Sequence, residues 1–175
     1  VLSAILVVLY VSLRKHGNAD QFVFVKDIEW FKSLNFNFTM GVDGISVALI
    51  GLTSIVIFAG VFASWKMEEL HREFFISLLV LAGGVFGFFI TIDMFSMFVF
   101  YELAVIPMYI LIGIWGTGRK EYSAMKLTLM LMGGSALIIV GILGLYFHSG
   151  VNGSPLTMNL MNLSKVHFPI EVQMF

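Results

Sequence analysis

Phe98-Val-Phe-Tyr-Glu-Leu-Ala-Val-Ile-Pro-Met-Tyr109 sets one carboxylate, Glu102, inside a run of apolar side chains. The run is only part of a longer one. From Phe74 to Trp115, Asp93 and Glu102 are the only charged residues. That stretch is about twice the roughly 20 residues a helix needs to cross a bilayer. It must fold back on itself, and Asp93 is the polar residue placed to mark the turn. The reading is a pair of antiparallel neighbouring spans, 74–92 and 94–115. Gly83, Gly84 and Gly87 in the first would let the second approach closely.

Composition sets the class around this pair. The 175 residues are 59% hydrophobic and 12% charged with a net charge of −1, and the mean hydropathy is +0.96. Soluble domains carry about a quarter charged residues. We therefore expect an all-α polytopic membrane protein, a bundle of transmembrane helices with one partial and four full spans. The near-zero net charge gives no reason to expect a nucleic-acid partner. With no cysteine, the chain offers no disulfide framework, iron–sulfur cluster or thiolate metal site. Its histidines, at 16, 71, 148 and 167, have no metal-ligand spacing and read as loop residues.

Working outward, the whole chain (1–175) reads as a single membrane domain. Residues 1–15 form a partial span: the apolar run stops at Arg14-Lys15, and a signal peptide would carry its charges before that run. Residues 16–40 form a surface loop. Gly17-Asn-Ala-Asp20 suggests a turn, and short strands near Gln21–Val25 and Asn35–Thr39 suggest a hairpin on the membrane surface. Trp30 and Phe31 suit the headgroup region. A full span at 41–65 opens with Asp43, which reads as a helix-start carboxylate favoured by free N–H groups. Lys66 to Glu73 connects it to the paired spans. The fourth full span, 122–147, carries a second small-residue face at Gly133, Gly134, Gly141 and Gly144. Residues 148–175 form a loop and the start of another span. The two ends suggest a piece of a larger membrane protein.

Alternation puts Trp65, Trp115, Arg119, Lys120 and Tyr122 on one side, and the 17–40 loop, Asp43, Asp93 and the tail on the other. Basic residues are balanced between the two sides, so orientation rests on the shorter Arg119-Lys120 loop, which points to its side as cytoplasmic.

Depth then separates the ionisable groups. At about 1.5 Å per helical residue, Glu102 lies roughly 13 Å from Asp93 and 20 Å from Trp115. It is close to the middle of the bilayer. Lys126 lies about 6 Å from the Tyr122 interface, where it is either an interface group that snorkels or a relay group. Its depth differs from that of Glu102 by roughly 10 Å, which argues against a direct ion pair. Pro107 frees the Leu103 carbonyl; this is either an ordinary membrane-helix proline or a site that holds water beside Glu102. Glu102 itself is either a protonated hydrogen-bond donor that serves assembly or a proton-relay group, and its mid-bilayer position favours the relay.

Five phrases carry a resemblance: Gly41-Val-Asp-Gly-Ile-Ser46, Ile92-Asp-Met-Phe95, Phe100-Tyr-Glu-Leu103, Ile106-Pro-Met-Tyr109 and Gly113-Ile-Trp-Gly116. In order and spacing, from about Met40 to Phe147, the chain resembles the antiporter-like M subunits of respiratory complex I, counterparts of mitochondrial NADH dehydrogenase subunit 4. The resemblance implies a proton-translocating subunit of an NADH-quinone oxidoreductase that binds no NADH, flavin or iron–sulfur cluster itself; those and the quinone belong to other subunits. It implies other membrane subunits as partners, above all neighbouring antiporter-like ones, with membrane lipid around them. The location is an energy-coupling membrane, bacterial ahead of mitochondrial. Glu102 matches the family's fifth-helix glutamate, which works against a seventh-helix lysine that would lie beyond Phe175. Asp43 and Asp93 match acidic positions of the family. Subunits of multi-component cation/proton antiporters and membrane-bound hydrogenases share the glutamate and form an alternative, as does a purely structural membrane module.

Overall fold

A computed structural model describes residues 2–15, 22–31, 36–66, 70–150 and 156–164. Helix α1 (Leu2–Lys15) leads to strands β1 (Val23–Phe31) and β2 (Phe36–Val42). Helices α2 (Gly44–Ala63), α3 (His71–Ile90), α4 (Met94–Trp115) and α5 (Lys120–Ser149) follow, then the short α6 (Leu160–Leu163). Helices α2 to α5 are each long and apolar enough to cross a membrane. Their outward faces carry large apolar side chains, with Ile45 70% and Leu137 75% exposed. In water such surfaces would be a liability, whereas in lipid they are solvated.

Helix boundaries depart from the apolar runs where another interaction takes over. Gly41 and Val42 belong to β2, so α2 starts at Gly44. The polar His71-Arg72-Glu73 form the first turn of α3, because helix hydrogen bonding continues past the apolar limit. At its other end α3 stops at Ile90, since residues 91–93 are extended and bridge to neighbours. Helix α5 is 30 residues long, about 45 Å against a hydrocarbon core of roughly 30 Å.

Successive helices pack as antiparallel neighbours, and α3 and α4 are the most intimate pair. A Cβ on Gly84 would lie 3.1 Å from the Ala104 backbone, and one on Gly87 would enter the Phe100 ring. Gly83 faces open space. So do Gly133, Gly134, Gly141 and Gly144, and the close-packing face expected on α5 meets none of the described helices. Helix α1 packs on α2 through Tyr10, Val47 and Ile50.

One end of the bundle is closed by extended chain. Strands β1 and β2 form an antiparallel hairpin with Asp27 opposite Thr39. It is longer than the two short strands read from sequence, because pairing extends each strand. Met40 of β2 bridges to Thr91, and Asp93 bridges in turn to Asn159. The hairpin, residues 91–93 and residues 158–160 thus lie side by side. The opposite end carries aromatic contacts, Phe62 stacked on Trp65 and Phe74 edge-on to Trp115 at 5.3 Å. The turn proposed at Gly17–Asp20, the Trp30 and Phe31 side chains and the start of another span expected near the end of 148–175 lie outside the described residues.

Candidate functional site

Helix α4 owes its start to Asp93 and continues without interruption through the buried Pro107 to Trp115. Glu102 sits in its middle. The atom Oε1 of Glu102 is buried and has no hydrogen-bond partner among the described residues. Burying a polar oxygen without a partner is costly, so such atoms are rare in stable folds.

Facing sides of α4 and α5 can be read from their contacts. Gly113 lies against Ala124: a Cβ placed on the glycine would be 3.8 Å from the alanine methyl. Phe98 packs on the buried cluster of Ile142, Tyr146 and Met158. At about 100° per residue, Phe98, Glu102 and Gly113 fall within about 60° of one another around α4. Glu102 therefore lies on the α5-facing side, between two positions that touch α5.

The other sequence-predicted groups lie elsewhere. Asp43 caps α2, its Oδ1 accepting from the Ser46 N–H at 2.7 Å. Asp93 caps α4 in the same way, accepting from both the N–H (2.9 Å) and the hydroxyl (3.0 Å) of Ser96. Asp93 is 3% exposed. Burial pushes its carboxyl above the ordinary value, the Ser96 hydrogen bonds pull it down, and the charge of Asp27 adds to the rise. Lys126 is exposed on α5, six residues after the helix starts at Lys120. Because α5 overshoots the bilayer, that position is close to the interface. The structure brings none of these three to Glu102.

A polar junction at the Asp93 end was not anticipated from sequence. The Thr39 hydroxyl donates to Asp27 at 2.8 Å and accepts from the Asn159 amide at 3.1 Å. The Ile92 N–H donates to the Thr39 carbonyl at 2.9 Å, and the Leu160 N–H to the Ile92 carbonyl at 3.3 Å. Ser96 had a readable signal: Asp93-x-x-Ser96 repeats the Asp43-x-x-Ser46 pattern of a helix start. Thr39 and Asn159 had none.

Residues 91–174 match the NADH:quinone oxidoreductase/Mrp antiporter transmembrane family. Chain 4 2 of the NAD(P)H-quinone oxidoreductase of Thermosynechococcus vestitus is 31% identical over 162 residues, 91% of this chain and 30% of that protein. Subunit M of the NADH-quinone oxidoreductase of Rhodobacter capsulatus is 32% identical over 146 residues, 83% of this chain and 27% of that one. In sequence the chain is similar to these quinone oxidoreductase membrane subunits. It spans about three tenths of the length of the curated relatives it matches. Its fold is also that of a chain in respiratory complex I from Thermus thermophilus with bound NADH, at a TM-score of 0.72 and 22% identity, covering 93% of this chain and 33% of that one. Glu102 and Asp93 both fall inside the segment matched to the family. Asp43 precedes it.

Proposed function

We propose that the chain acts as the antiporter-like, proton-translocating part of an NADH-quinone oxidoreductase, with Glu102 as the group that loads and releases the proton. The observation that carries this reading is the buried Oε1 of Glu102, midway along a membrane-length helix and without a partner among the described residues. In a low-dielectric surrounding an unpaired carboxyl group holds its proton, and an approaching cation or hydrogen-bond donor favours the ionised form. Bringing such a partner up and withdrawing it converts a conformational step into proton release and uptake. Lys126 is at the wrong depth for this task. The cation that works on Glu102 comes from outside the described helices.

The chain performs no redox step in this scheme. NADH, flavin, iron–sulfur clusters and quinone are held by other subunits, a division that the chain's lack of cysteine supports. Neighbouring membrane subunits are its partners, and the names of the relatives, all parts of quinone oxidoreductases, support that assignment. We place it in an energy-coupling membrane. Bacterial relatives favour a bacterial inner membrane, and chloroplast relatives match at comparable identity.

Glu102→Gln tests the proposal, since it keeps size and hydrogen-bonding shape and removes only the ionisable group. The expected result is loss of proton pumping by the assembled complex with normal assembly. Pumping at the wild-type level would overturn it.

A further inference from the structure

The α4–α5 contacts fix which α5 residue stands opposite Glu102. Glu102 lies 11 residues before Gly113, and Ser135 lies 11 residues after Ala124, the partner of Gly113. In an antiparallel pair both steps cover about 16.5 Å and three turns, so the two residues come to the same level. They also face each other. Ser135 shares its side of α5 with Ala124, Ile142 and Tyr146, and all four are buried against the bundle. The next positions, Ala136, Leu137 and Ile138, are exposed. Ser135 is thus the buried polar side chain at the depth of Glu102, and its hydroxyl now donates to the Met132 carbonyl at 3.0 Å.

That bond is expendable. A serine hydroxyl bonded back to its own helix is readily given up to another acceptor, because the carbonyl it uses is already engaged by the helix. Rotation about one side-chain torsion re-aims the hydroxyl. On the other side of the interface a buried carboxyl oxygen has no donor among the described residues. We propose that Ser135 is the positioning residue of Glu102: its hydroxyl exchanges the Met132 carbonyl for the Glu102 carboxylate when Glu102 is ionised, and returns when Glu102 is protonated. Ser135 keeps its own proton throughout. This inference rests on the relay reading of Glu102, and it supplies from within the chain a hydrogen-bond donor for the charged form that the approaching cation creates.

Of the other titratable groups, Tyr101 is the nearest: it precedes Glu102 in sequence and lines the α4–α5 cleft with Phe98, Ile138 and Ile142. On α3 the titratable groups are His71, Arg72 and Glu73, all in the first turn. On α5 the nearest are Lys126, about 13 Å from the Ser135 level, and Tyr146, about 16 Å away toward the other end; Lys120, Glu121, Tyr122 and His148 are farther still. Tyr101 and Tyr109 are carried by α4 itself, and Asp93 stands at its start. Asp27 and Lys26 lie in the hairpin at the Asp93 end.

The test is an infrared pH titration of Glu102 in the intact, assembled complex, following the carboxylic C=O stretch that Glu102→Gln removes. Ser135→Ala is expected to raise the Glu102 midpoint by about one pH unit, a tenfold gain in proton affinity, and Ser135→Thr to restore it. Should the alanine variant not assemble, Ser135→Cys, with its weaker S–H donor, is expected to move the midpoint the same way. An unmoved midpoint in these variants, or a threonine variant shifted as far as alanine, would overturn the inference. The readout does not depend on pumping, so a pump that survives Glu102→Gln would sink the relay reading while leaving this pairing to stand or fall on the titration.

Discussion

At the scale of single residues, Asp43 and Asp93 share one chemistry and differ in surroundings. Both accept the N–H of the serine three residues on, which satisfies donors that every helix start leaves free. Replacing Asp43 by alanine is expected to lower stability by about 1 kcal/mol and replacing it by asparagine to change little, as measured by denaturant unfolding in detergent. Asp93 adds a pH dependence. Burial is the main cause that raises its carboxyl above the ordinary 3.8. A raised acid stabilises the fold while protonated: the contribution is complete below the unfolded value and is lost as pH rises through the folded one. Asp93→Asn keeps a good cap and removes the titration. Its unfolding midpoint relative to wild type should therefore climb as pH rises from about 4 upward, and a difference that stays flat with pH would contradict this account. The Asp43 cap was legible in sequence because capping is local. The pairing of Ser135 with the Glu102 level was not, because helical periodicity gives a face but not the residue opposite.

At the scale of elements, the apolar run 74–115 announced its own fold-back, since no single helix of that length fits a bilayer. What the run could not announce is which glycines matter. Gly84 and Gly87 meet Ala104 and Phe100, while Gly83, beside them in sequence, meets nothing. Gly87→Ala should destabilise the α3–α4 pair by about 1–3 kcal/mol through overpacking, and Gly83→Ala should not. Phe100→Leu in the Gly87→Ala background relieves the clash, so the double variant should be more stable than the sum of the two singles. A thermal unfolding series checks this, and simple additivity would show that the glycine is not making room for the ring. The glycines of α5 looked the same in sequence and meet no neighbour among the described residues, because small residues permit a close approach without supplying the neighbour.

At the scale of the whole molecule, the two ends of the bundle are built differently. One end has aromatic contacts and a lysine, Lys120, that donates to the Ile114 carbonyl at 2.7 Å and so caps α4. The other end is tied shut by extended chain, and its side-chain link between Thr39 and Asn159 joins residues 120 apart in sequence. The order of helices could be read from apolar runs alone, but contacts of that range leave no local pattern. Thr39 is 2% exposed, with its hydroxyl both donating and accepting. Thr39→Val keeps the shape and takes the acceptor from the Asn159 amide, while the exposed Asp27 keeps its bond from the Asn37 amide, which should cost about 1 kcal/mol; Thr39→Ser should recover most of it. If the junction is a clamp on the end of the bundle and not part of the proton path, the loss stays local. Amide hydrogen exchange should then quicken along β2 and residues 158–160 in the valine variant, while amides around Glu102 stay protected and the Glu102 titration midpoint holds. Faster exchange in the middle of α4, or a moved midpoint, would show instead that the hairpin end and the buried carboxylate are energetically coupled.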